Sequence, residues 1–254
     1  MQPRTIRLLV ALGLALLAPP RAAAADEPAR ALVKRVLEAA PRVPFVATMT
    51  LTIAGGVERK LELSHKMLGD TRASYLEVTS PLSLKDTRFL FLERTEARDE
   101  QFMYLPTMRR VTQVSEDARA QPFLGSEYYV SDLVSPELDA FDYAWAGEAT
   151  VLERACRLVT ATPKDPEGEL YARTVLALDP QDLLILRAEF FDTKGRPFKV
   201  WTAERLERID GVWTARVQQM ANVQDRTVSR LTIDAIRFGV DLPDATFSRT
   251  HLAR

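Results

Sequence analysis

Between Phe45 and Ile53 every second residue is apolar: Phe45, Ala47, Met49, Leu51 and Ile53 are separated by Val46, Thr48, Thr50 and Thr52. A period of two fits an extended strand whose successive side chains point to opposite faces, here one apolar and one mostly polar. Gly55-Gly56 follows, a pair that tolerates positive φ, and Leu61, Leu63, His65 and Met67 resume the alternation on a return strand. A second turn at Leu68-Gly69-Asp70 leads into residues 72–78, so the chain begins as an antiparallel meander. Further strands are expected at 87–92, 101–105, 173–178, 184–191, 198–205, 212–220 and 228–238. Turn signals at Asp179-Pro180, Lys194-Gly195 and Asp210-Gly211 join the later ones. So many short-looped strands predict a mainly β chain with one large antiparallel sheet, strongly curved or rolled into a partial barrel.

Helical signal is sparse. Ala31, Leu32, Val36, Leu37 and Ala40 recur at helical spacing after Asp26-Glu27-Pro28, and Pro41 and Pro44 stop the pattern. Elsewhere only 115–120 and the 131–141 region suit short helices. Residues 1–25 carry Arg4 and Arg7, an apolar run from Leu8 to Ala18 and the small-residue string Ala22–Ala25. That pattern predicts a secretory signal peptide cleaved near Asp26, since the run is too short for a membrane span. The remainder, 26–254, then reads as a single exported domain, with 163–169 as an exposed loop rather than a boundary.

The chain has 34 basic and 35 acidic side chains; without Arg4, Arg7 and Arg21 the balance is 31 against 35. No basic excess marks a nucleic-acid face. Cys156, the only cysteine, excludes an intrachain disulfide and lies in an alternating apolar stretch, which suits a buried structural thiol. Two histidines and one cysteine, widely spaced, do not make a usual zinc site, and no nucleophile elbow, P-loop or dinucleotide fingerprint is present. No catalytic residue, metal or cofactor is expected. An enzymatic alternative would rest on His65, which shares the face of Leu61, Leu63 and Met67. Phe89 and Phe91 alternate with Leu90 and Leu92, so both faces of that strand are apolar. One face can serve a cleft while the other packs under a helix or loop; periodicity alone leaves a filled core and a ligand cavity equally open.

The middle of the chain carries an ordered series: Ser80-Pro81, Tyr104-Leu105-Pro106, Arg109-Arg110-Val111, Phe123-Leu124-Gly125-Ser126 and Asp132-Leu133. Further on come Gly211-Val212-Trp213-Thr214, Arg226-Thr227 and Leu242-Pro243-Asp244 with Phe247. In order and spacing the series resembles the LolA-like family related to outer-membrane lipoprotein sorting. Lys85-Asp86-Thr87 departs from it where many relatives have a glycine before the threonine, and Glu127 stands where an aspartate is frequent. The resemblance implies an incompletely closed antiparallel β-barrel with an N-terminal helix and a short helical lid, enclosing an apolar cavity for acyl chains. Such a protein is a periplasmic carrier that moves lipids or lipoproteins toward the outer membrane. The physical need is clear: at about 0.8 kcal/mol per methylene, a chain of about 16 carbons opposes transfer to water by roughly 13 kcal/mol.

On this reading the cavity is lined by Phe45, Met49, Leu51, Leu61, Leu63, Leu90, Leu92, Phe102, Tyr104, Trp201 and Trp213, and Arg109 and Arg110 meet head groups at its mouth. The expected partners are lipid or lipoprotein acyl chains, an inner-membrane transporter and, transiently, a membrane surface. Some family relatives accompany export transporters of the resistance–nodulation–division type, so the alternative is a non-enzymatic accessory subunit with a side-chain-filled interior. The 115–141 excursion is the expected mobile lid, and Gly125-Ser126 is read as backbone geometry rather than chemistry.

Overall fold

The computed structural model describes residues 27–94 and 99–254. The leader expected at 1–25 lies outside the described residues. Helix α1 (Glu27–Glu38) buries Ala29, Leu32, Val33 and Val36, the i, i+3, i+4, i+7 stripe of an amphipathic helix. Arg35 in its last turn complements the negative end of the helix dipole.

Among the described residues thirteen strands form one sheet in the order β6-β5-β4-β3-β2-β1-β13-β12-β11-β10-β9-β8-β7, every neighbouring pair antiparallel. From β1 (Phe45–Ile53) the chain meanders outward through β2 (Val57–Leu68), β3 (Thr71–Ser80), β4 (Arg88–Glu93), β5 (Glu100–Leu105) and β6 (Arg110–Gln113). It then crosses to the opposite edge and returns through β7 (Phe141–Val151), β8 (Arg154–Pro163), β9 (Arg173–Asp179), β10 (Leu184–Phe191), β11 (Pro197–Ile209), β12 (Val212–Asn222) and β13 (Thr227–Phe238). β13 docks beside β1, pairing Leu51 with Leu231 and Met49 with Ile233. β6 and β7 remain the two edges, so the mainly β sheet stops short of a closed barrel.

The registers define the two faces. Met49 and Leu51 stand opposite Leu61 and Arg59 on β2, Leu61 opposite Val78 on β3, and Leu76 opposite Phe89 on β4. In the other direction Ser229 faces Met220, and Met220 faces Trp201. All of these side chains but Arg59 and Ser229 belong to one apolar cluster on one face, with Phe123, Tyr128 and Val130 of the crossing segment.

That segment forces the sheet to curve. Phe123 packs edge-on against Phe89 of β4 at 5.1 Å between ring centroids, while the Glu127 carbonyl accepts from Lys199 of β11. β4 and β11 are six strand steps apart, about 29 Å along a flat sheet at ~4.8 Å per step. Residues 123–128 form a tight turn, closed by Ser126 N–H to Phe123 O at 2.9 Å and Phe123 N–H to Tyr128 O at 2.7 Å. So compact a turn reaches both strands only because the sheet wraps around it, and the wrapped side is the concave face.

A second layer covers the convex face of β2 to β5. A 3-10 turn (Asp244–Phe247) and helix α3 (Arg249–Leu252) bring Phe247 and Leu252 onto Ala73, Tyr75, Leu90 and Phe102. Lys66 Nζ holds the approach to this cap, donating to the Leu242 carbonyl at 2.6 Å and pairing with Asp244 at 2.7 Å.

Candidate functional site: the covered concave face

Two segments cover the concave face. Helix α1 lies over its β7 to β9 end, with Leu32, Val33 and Val36 against Tyr143, Val159 and Leu178, and its last turn is met from β3 by Arg72, which donates to the Leu37 carbonyl at 2.8 Å. The crossing segment, 114–140, fills the middle. Its short helix α2 (Glu116–Arg119) is capped by Ser115, and the chain then dips inward at Phe123-Leu124-Gly125-Ser126. Leu124 and Gly125 adopt φ +51° and +78°, successive left-handed residues that make the sharp reversal. Glycine does this without strain; the leucine costs roughly 1–2 kcal/mol, offset by packing into the apolar cluster.

Polar links pin this plug to the frame. Lys199 Nζ donates to the Glu127 carbonyl at 2.6 Å and lies 3.1 Å from the centre of the Tyr129 ring. The Glu127 carboxylate accepts from Thr227 Oγ1 at 2.6 Å, and the Glu127 N–H donates to Ser229 Oγ at 2.9 Å. Asp132 accepts from Tyr171 O–H at 2.9 Å and from the Tyr129 N–H at 2.7 Å. Across the cleft, Glu93 of β4 accepts the Ser135 N–H at 3.0 Å.

Lys199 is 1% exposed, and burial lowers its pKa to about 8, opposed by the charges of Asp132 and Glu127. Burial pushes the Asp132 carboxyl up against the pull of the Tyr129 amide and Lys199; it pushes Glu93 up as well. Tyr171 is shifted upward by burial and by Asp132 beside it.

The structure divides the sequence-expected lining residues. Met49, Leu51 and Leu61 are buried in the concave cluster, and Phe45, Leu63 and Trp201 pack against it. Leu90, Leu92, Phe102 and Tyr104 occupy the opposite face, beneath Phe247 and Leu252. Trp213 lies outside both clusters, stacked under Arg154 with the guanidinium carbon 4.5 Å from its ring centre. Arg109 and Arg110 are exposed on the β5–β6 turn. That turn lies at the same end of the sheet as the start of β11, but on the edge of the sheet away from Lys199. His65 stacks on Phe45 at 5.0 Å and its Nδ1 shares a hydrogen bond with Ser74 Oγ at 3.0 Å. Burial and then the neighbouring Arg72 charge depress its pKa to about 4, so the ring is held neutral in the core. Lys199, Tyr171 and Thr227 escaped sequence reasoning, because a lysine flanked by Phe198 and Val200 reads as the solvent side of a strand. Open clefts of about 290 Å³ at Phe102, Val111, Gln113 and Arg249, and about 570 Å³ at residues 152–155, 179, 181 and 182, are lined by none of residues 114–140.

Comparison with known proteins agrees with this architecture. A lipoprotein-sorting protein domain from Vibrio parahaemolyticus aligns with a TM-score of 0.82 at 24% identity, covering 90% of this chain and 99% of its own. A DUF1329 family protein from Desulfovibrio piger gives 0.83 at 24% identity, covering 91% and 100%. A LolA superfamily protein from Nitrosomonas europaea gives 0.66 at 17% identity, covering 88% and 98%. No curated protein matches the chain. The model of a family described as "Uncharacterized protein" matches residues 70–254, well over half the sequence. The chain therefore belongs to that family, and its fold is that of the LolA-like, outer-membrane lipoprotein-sorting proteins.

Proposed function

We propose that the protein is a non-enzymatic carrier that binds acyl chains of lipids or lipoproteins against the concave face and moves them through the periplasm toward the outer membrane. Residues 26–254 act as one binding unit once residues 1–25 have been removed. The observation that carries this reading is how the apolar concave face is covered. Its middle is sealed by one crossing segment, whose Phe123, Tyr128 and Val130 stand where an acyl chain would lie. Besides its apolar packing, the segment is held by polar links that water or a ligand can replace. Displacing it uncovers Met49, Leu51, Leu61, Phe89, Phe91 and Met220 without breaking the sheet.

The end of the sheet nearest the start of β11 supplies the membrane contact. Val57, Leu82, Met108, Val223 and Val228 are exposed there on successive loops, beside Lys85, Arg109 and Arg110. Apolar tips among cations suit a surface of anionic lipid. Among the described residues no helix is long and apolar enough to cross a membrane.

The test is a tether. Glu127→Cys with Ser229→Cys joins the plug to β13, where the native backbone N–H lies 2.9 Å from the Ser229 hydroxyl. Lipid retained after incubation, read by native mass spectrometry, should be present in the wild type, absent from the oxidised double variant and restored on reduction. Absence of lipid from every form would overturn the carrier reading. It would favour an accessory subunit of an inner-membrane transporter, a second reading supported by the side-chain-filled interior.

A further inference from the structure

The frame's donors around the plug converge on acceptors that all belong to the plug. Lys199 on β11 donates a hydrogen bond to the Glu127 carbonyl, Tyr171 on the β8–β9 loop to the Asp132 carboxylate, and Thr227 at the start of β13 to the Glu127 carboxylate. Three separate elements thus contribute a cation and two hydroxyl donors, while residues 127–132 contribute one carbonyl and two carboxylates. Ser229 Oγ, which accepts the Glu127 N–H, completes the contacts of this corner. When the plug lifts, every one of these acceptors leaves with it, and so does the Tyr129 ring that faces Lys199. Lys199 is then a cation on an apolar wall, two residues along the strand from Trp201, with Met220 beyond it. A buried ammonium without an acceptor is strongly disfavoured, so opening is favourable only if something else supplies the acceptor.

We propose that Lys199, Tyr171 and Thr227 form a subsite for the anionic head of an acyl ligand, a carboxylate or a phosphate, which the plug's own acidic segment fills in the closed protein. The inference rests on the carrier reading and adds the ligand class to it. An anion at this position meets the donors that now meet Glu127 and Asp132, and its acyl chain runs from Trp201 past Met220 to Leu231 and Leu51. In the closed protein Lys199 has a pKa lowered to about 8 by burial against the opposing charges of Asp132 and Glu127, and an anionic head in their place supplies the same kind of opposing charge. The plug and the ligand head compete for the same donors, so binding and opening are one exchange, and a neutral chain of equal length pays for opening without replacing the acceptors.

The experiment compares laurate and dodecyl phosphate with dodecanol by equilibrium binding to the full chain at pH 7, with inorganic phosphate as a headgroup-only arm. The wild type should bind both amphiphilic anions at least tenfold more tightly than the alcohol. Lys199→Met should abolish the preference from both sides, weakening the anions and tightening dodecanol, whose entry no longer strips a buried ammonium of its acceptor, and Lys199→Arg should retain part of the preference. Tyr171→Phe with Thr227→Val is a second route that spares the lysine, and it should erode the preference in the same direction. Equal binding of anions and alcohol by the wild type, or an undiminished preference in these variants, overturns the subsite while leaving the carrier reading intact. Inorganic phosphate competing as well as dodecyl phosphate would show a free-anion site and overturn the assignment to an acyl ligand. Failure of all three chain-bearing compounds to bind overturns the carrier reading, and the subsite with it.

Discussion

His65 illustrates how burial sets the chemistry of one residue. An imidazole in water protonates near pH 6.5; between Phe45 and Ser74, with Arg72 nearby, it resists protonation down to about pH 4. The unfolded chain takes up a proton between these values that the folded chain refuses. Stability is therefore complete above about pH 6.5 and is lost as pH falls toward 4, by up to about 3 kcal/mol for a shift of this size. A melting-temperature series on wild type and His65→Leu should show this acid-side decline in the first and a shallower one in the second. Parallel curves would mean that the histidine is not the group responsible. The sequence located His65 on a buried face but not its neighbours. Ser74 reaches it through strand register and Arg72 through the turn at Gly69.

At the scale of elements, strands with clean alternation were legible, and so were hairpins whose turns contain glycine. The β7–β8 hairpin was not anticipated, although a strand-like pattern was visible at 155–159. Its turn is Leu152-Glu153, with φ +50° and +60°, a left-handed pair normally given to Asn-Gly or Gly-Gly. Tertiary pairing of the long strands overrides the local penalty. Leu152 is 40% exposed and its neighbour is exposed, so Leu152→Asn with Glu153→Gly removes strain and little packing. A gain of about 1 kcal/mol in denaturant unfolding is expected, and a loss would show that these side chains contribute more than the backbone costs. The C-terminal cap is a second case. Residues at the end of a chain read as frayed, yet Leu252 is fully buried against β4 and β5. This cap determines which face of the doubly apolar β4 points inward, so Leu90 and Leu92 could not be assigned to a face from their own neighbourhood.

On the scale of the whole molecule, the path of the chain places the site. Because the strands run outward to β6 and return from the opposite edge, the connection between the halves has to cross the sheet; it does so on the concave side and becomes the plug. The same path collects the exposed apolar tips at one end. Leu82, 87% exposed, and Met108, 57% exposed, would each gain about 1.5–3 kcal/mol on entering lipid. Leu82→Glu with Met108→Glu should therefore weaken cosedimentation with phosphatidylglycerol vesicles at least tenfold; unchanged binding would move the membrane contact elsewhere. By itself the sequence determined the fold class, the N-terminal helix and most strands, because local periodicity and turn chemistry act over a few residues. It also supplied the motif order that resembles the LolA-like proteins. Only the tertiary structure decided which apolar face is concave, that the interior is occupied by residues 123–134, and that Lys199 meets Glu127 across 72 positions of sequence. Those facts depend on strand register and sheet curvature, which are set by the packing of all thirteen strands together and by no single stretch of the chain.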